Sequence, residues 1–110
     1  MAYAELTLDQ GTTFETSIDL KNDDGTAINV ANYMFESQIR KSYYSSNPTA
    51  EIIVSIADDA NGSIKLSLDA AATSNIKAGR YLYDVKMITP DEVVSRVIEG
   101  IITVTPQVSK

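Results

Sequence analysis

The chain has 110 residues, 44% of them hydrophobic, and a formal charge of −6 from 15 acidic against 9 basic side chains. That length supports one domain over residues 1–110 with a core of its own, and the acidic balance opposes binding to nucleic-acid phosphates. Cysteine and histidine are absent, which removes disulfides, thiolate nucleophiles, the usual zinc ligands and the side chain most used for proton transfer near neutral pH.

No apolar run approaches the ~20 residues that cross a bilayer, so no membrane partner is expected. The opening MAYAELTLDQ has neither the basic segment nor the apolar run of a secretory signal. Residues 5–20 read as two strands, ELTLD and TTFETSIDL, broken at Gln10-Gly11, with Phe14, Thr16, Ile18 and Leu20 alternating with polar neighbours. Residues 21–26, KNDDGT, are turn chemistry. A third strand follows in YMFESQIRK, where Phe35, Ser37 and Ile39 face inward and Glu36, Gln38 and Arg40 outward.

Residues 42–49, SYYSSNPT, break the period, and Pro48 supplies no ladder donor. Ile52, Val54 and Ile56, then Ile64, Leu66 and Leu68, alternate on either side of Asn61-Gly62, which is a hairpin signal. Residues 69–76, DAAATSNI, predict a short crossover in which Asp69 caps one helical turn. Residues 78–88, AGRYLYDVKMI, form the central strand, with Tyr81, Tyr83, Val85 and Met87 on one side and Arg80, Leu82, Asp84, Lys86 and Ile88 on a half-covered other side.

Thr89-Pro90-Asp91-Glu92 closes a hairpin into VVSRVIEGIITV. Here Gly100 is the expected site of a bulge, and Val93, Ser95 and Val97 face in because burying Arg96 is costly. These elements predict an all-β fold, an immunoglobulin-like antiparallel β-sandwich of about seven to eight strands. The expected core is Phe14, Ile18, Leu20, Phe35, Ile39, Val54, Leu66, Tyr81, Tyr83 and Val85.

The pairs Asp23-Asp24 and Asp58-Asp59 have the oxygen chemistry of calcium ligands, but they sit where Asp is favoured for turns and lack the spacing of an EF-hand loop. Ser74-Asn75-Ile76-Lys77 matches S-x-x-K without its companion motifs, and Asn61-Gly62-Ser63 matches a glycosylation sequon in a hairpin turn. No catalytic residue, cofactor site or metal site is therefore assigned. Gly79-Arg80-Tyr81 fits either a tyrosine corner or a simple core aromatic. The contact-surface candidates are Arg40, Lys41, Tyr43 and Tyr44, which join cationic groups to amphipathic rings at a strand end.

The stretches DQGTTFETSIDLKNDDGTAI, SQIRKSYYS, NGSIKLSL, AGRYLYDV and RVIEGIITVTPQV together resemble small virion-associated proteins of T-even-like marine cyanophages. More distantly, they resemble the immunoglobulin-like N-terminal domain of siphophage baseplate upper proteins. The resemblance runs over about residues 8–108. It implies a non-enzymatic virion structural protein (head decoration, neck, tail or baseplate) made in the host cytoplasm, with other virion proteins and copies of itself as partners. The alternative is a carbohydrate- or receptor-binding module of the host-adsorption apparatus, with Tyr43 and Tyr44 as the aromatic platform in a chain that has no Trp.

Overall fold

The structure, a computed structural model, describes residues 2–22, 24–42 and 47–108. Over these residues it is all-β, with eight strands and one helical turn: β1 (Ala2–Tyr3), β2 (Leu6–Asp9), β3 (Phe14–Asp19), β4 (Met34–Arg40), β5 (Ala50–Asp58), β6 (Ser63–Leu68), α1 (Ala70–Ser74), β7 (Gly79–Ile88) and β8 (Val94–Thr105). They form one hydrogen-bonded sheet in the order β1-β8-β7-β4-β5-β6-β3, with β2 also on β8. Its curvature comes from β5, whose residues 50–52 pair with β4 while residues 53–58 pair with β6. The sheet therefore folds back on itself in a nearly closed, barrel-like form. The pairing departs from the expected all-antiparallel pattern, because β1 and β2 both run parallel to β8.

The inward rows meet in one core. Ile64, Leu66 and Leu68 of β6 pack with Phe14 of β3, Ile39 of β4, Tyr81, Tyr83 and Val85 of β7, and Ile98, Ile102 and Val104 of β8. Phe35, Ile18 and Val54 are only partly buried against it. Phe35 pairs with Met87, itself partly buried, one step from the end of the β4–β7 ladder. The buried hydroxyls are satisfied: Ser37 donates to the Asp84 carbonyl at 2.6 Å, and Thr73 to the Thr12 carbonyl at 2.8 Å.

Local chemistry explains the connections. Asp69 caps α1 as expected, its carboxylate accepting from the Ala72 N–H at 2.8 Å. Asp24 Oδ1 accepts from both the hydroxyl and the N–H of Thr26, and these bonds hold its carboxyl below the usual range. Asp58 accepts from the Asn61 side chain at 2.7 Å. Each of these carboxylates thus closes its own turn; Asp23 lies outside the described residues. Gly62, at φ +65°, lies against the backbone carbonyls of Leu20 and Ile28, where a side chain has no room.

The bulge in β8 falls at Val97, not at Gly100: Lys86 pairs with Arg96 and Val85 with Ile98, so Val97 is the extra residue. Arg96 does face outward with Lys86, as its charge requires, but Val93 and Ser95 are exposed because the hairpin outruns the core. Gly100 pairs regularly with Tyr83 and serves a different purpose. A Cβ on it would collide with the Ala4 carbonyl oxygen. The Tyr83 hydroxyl reaches past the glycine and donates to that same oxygen at 2.7 Å.

Burial, and secondarily the neighbouring Tyr3, push the Tyr83 hydroxyl up to about 12. The folded value lies above the unfolded one, so its contribution is complete below pH ~10 and is lost as pH rises towards ~12, with a ceiling of about 2–3 kcal/mol. Urea titrations across that window should show the loss in the parent and a smaller one in Tyr83→Phe. Gly100→Ala should cost roughly 1–3 kcal/mol, checked by the urea midpoint at neutral pH; an unchanged midpoint would show that the β1–β2 connection is not pinned there.

Candidate functional site

The outward side of β4, β7 and β8 is the best-defined surface for contact. Cross-strand register sorts its side chains into four rows. Met34, Ile88 and Val94 make an apolar row at one end. Glu36, Lys86 and Arg96 make the next, and Gln38, Asp84 and Glu99 the third. Arg40, Leu82 and Ile101 complete the face at the loop end. Met34 and Val94 are 67% and 59% exposed, and with the half-buried Ile88 between them they form one contiguous apolar strip.

Asp84 and Glu99 stand directly opposite one another, a like-charge pair that is unfavourable in a sheet. Arg96 resolves the conflict. Its Nε lies 3.5 Å from Asp84 Oδ2 and its Nη1 3.1 Å from Glu99 Oε2. The Val97 bulge offsets β8 so that Arg96 and Glu99, three apart, share this face. A shallow groove of about 170 Å³ runs between the two charged rows, with Arg40 and Ser42 at one end and Lys86 and Arg96 on its walls.

Of the residues expected at a contact surface, Arg40 joins this face: its guanidinium donates to Gln38 Oε1 at 2.8 Å and lines the groove. Lys41 diverges from it, its ammonium standing 4.8 Å from the centroid of the Tyr81 ring, a cation–π distance. Tyr43 and Tyr44 lie outside the described residues. The Tyr81 hydroxyl donates to the Lys77 carbonyl at 2.6 Å, four residues upstream. Sequence reasoning left out Glu36, Gln38, Leu82, Asp84, Lys86, Arg96 and Glu99. Alternation places most of them outward, but their grouping depends on the β8 bulge. Among the described residues, no cluster of three or more His, Cys, Asp or Glu side chains has the geometry of a metal site.

The fold class these observations define is all-β. No family model matches the chain, and no curated protein does. Among solved structures, it is similar to the soluble domain of PmoD from Methylocystis sp. ATCC 49242 (Rockwell), at a TM-score of 0.51 and 9% identity, over 90% of this chain and 77% of that one. At that identity the likeness concerns the fold alone.

Arg96→Ala should lower stability by about 0.5–1 kcal/mol at low salt, because it leaves Asp84 and Glu99 facing each other. At ~1 M salt, where the screening length falls to about 3 Å, urea midpoints of parent and variant should nearly coincide. A salt-independent difference would assign the effect to packing of the arginine stem.

Proposed function

We propose that this chain is a non-enzymatic structural component of a phage particle, acting through protein–protein contacts, on a scaffold best read as an immunoglobulin-like sandwich. Two features support the sandwich reading. The division of β5 sets β3, β6 and the second half of β5 apart from β4, β7 and β8. The Tyr81–Lys77 bond has the form of the tyrosine corner, near the start of a strand that follows the α1 crossover. The virion reading draws on the sequence resemblance described above.

The observation that carries the contact function is the outward face of β4, β7 and β8. It sets an exposed apolar row directly beside charges of both signs on regular strands, an arrangement suited to a partner surface. Arg40 extends it towards the connection over residues 41–49, whose sequence carries Tyr43 and Tyr44.

Mass spectrometry and labelled electron microscopy of purified particles test this reading, with the chain expected at a fixed copy number and at a defined position. Its absence from washed particles would reject the assignment. Tyr43→Ala combined with Tyr44→Ala should weaken incorporation by about 2 kcal/mol, roughly thirtyfold in the binding constant, while the melting temperature of the isolated protein stays near that of the parent.

A further inference from the structure

We propose that the outward face of β4, β7 and β8 binds the same face of a second copy of this chain, in an isologous dimer. The two-fold axis lies across the strands and passes between the Glu36–Lys86–Arg96 row and the Gln38–Asp84–Glu99 row. This rests on the reading that the protein works through protein contacts and names the partner.

The register carries the argument. Rotation about that axis lays each row of one copy over its counterpart across the axis on the other. Lys86 of one copy then stands over Asp84 of the other, and Arg96 over Glu99, with both pairs occurring twice. Glu36 meets Gln38, which can donate its amide to the carboxylate. The flanking rows match as well: Ile88 faces Leu82, Val94 faces Ile101, and Met34 lies along the aliphatic stem of Arg40. A two-fold axis along the strands instead stacks Lys86 on Lys86 and Asp84 on Asp84, and is rejected on charge.

Charge distribution supports the same conclusion. The chain carries −6, a self-repulsion that opposes association of like molecules, yet this face holds three acids (Glu36, Asp84, Glu99) and three bases (Arg40, Lys86, Arg96). It is a neutral surface on an acidic body. Packed sheets cross at about −30°, so the pairs nearest the axis, Lys86–Asp84 among them, keep the best alignment. A face three strands wide and four side-chain rows long buries less than the roughly 1,200–2,000 Å² of a standard interface. The dimer is accordingly weak, concentration-dependent and salt-sensitive.

Charge-swap complementation, followed by sedimentation equilibrium, tests it. The parent should show a monomer–dimer equilibrium that weakens as salt is added. Lys86→Glu with Arg96→Glu, and separately Asp84→Lys with Glu99→Lys, should each dissociate at least tenfold more readily than the parent. An equimolar mixture of the two should recover a one-to-one heterodimer, because every reversed charge then meets its complement. Val94→Glu, at an exposed position, should also dissociate the parent dimer, with circular dichroism verifying that each variant is folded. A parent that remains monomeric to about millimolar concentration, folded swap variants that dimerise as the parent does, or a mixture that fails to associate would each overturn the inference. If a monomeric parent still enters particles at fixed copy number, the self-contact fails while the contact function survives, so the two readings are separated.

Discussion

The hydrogen bond from Tyr83 to the Ala4 carbonyl, made across Gly100, is the constraint on which the rest of the arrangement depends. The chain ahead of β2 buries little, with Tyr3 exposed and Ala4 only partly covered, yet the N-terminal segment is held against the outer edge of β8 by parallel pairing at two places. Between them Ala4 still donates its N–H to the Glu99 carbonyl at 3.0 Å, while its own carbonyl turns towards Gly100. Only a residue without a Cβ at position 100 lets it approach, and only a long side chain ending in a donor satisfies it once buried. The cross-strand pairing of Tyr83 with Gly100 supplies both, with the ring covering the gap beside the glycine. Leu6 and the fully buried Leu8 follow from this anchor and close the core on that side.

Gln10 performs a comparable service at the opposite end of β2. Its side chain donates to the Ile76 carbonyl at 2.8 Å and accepts from the Gln107 N–H at 3.2 Å. It thus joins the connection after β2, the end of the α1 crossover and the segment after β8. Thr73, fully buried, adds its hydroxyl bond to Thr12 across the same gap, where the two ends of the sheet are not paired strand to strand. A barrel-like sheet that stops short of closure needs its open seam filled, and polar side chains bonded to backbone fill it without leaving buried groups unsatisfied.

Much of this was legible in the sequence because alternation is a local property. The strands around Phe14, Ile39, Leu66 and Tyr83, the Asp69 cap and the Asn61-Gly62 turn all follow from residues within a few positions of one another. What was not legible depends on long-range register. Nothing near Val97 marks it as the bulge; Gly100 is the residue that looks like one, and its actual role is set by Ala4, far away in the chain. Phe35 reads as core by pattern but lies one step from the end of the β4–β7 ladder, and its burial is only partial. The contact face was half legible. The outward side of the central strand could be read, and Arg40 with it, but the grouping of Glu36, Asp84, Arg96 and Glu99 requires both pairings and the bulge.

The edges of the sheet also bear on how two such molecules meet. An unpaired strand edge invites another chain to extend the ladder, and the free edge of β3 is the most regular one here. That strand carries Glu15 and Asp19, both exposed, so an antiparallel pair of β3 edges would set carboxylate near carboxylate on an already acidic molecule. The second half of β5 is uncharged from Ile53 to Ala57, but its ladder slips between Ile56 and Asp58 and it ends at Asp58-Asp59. Short length and irregularity of this kind blunt an edge. With these two edges discouraged by charge or geometry, the neutral outward face of β4, β7 and β8 offers like copies a surface with little repulsion and complementary pairing.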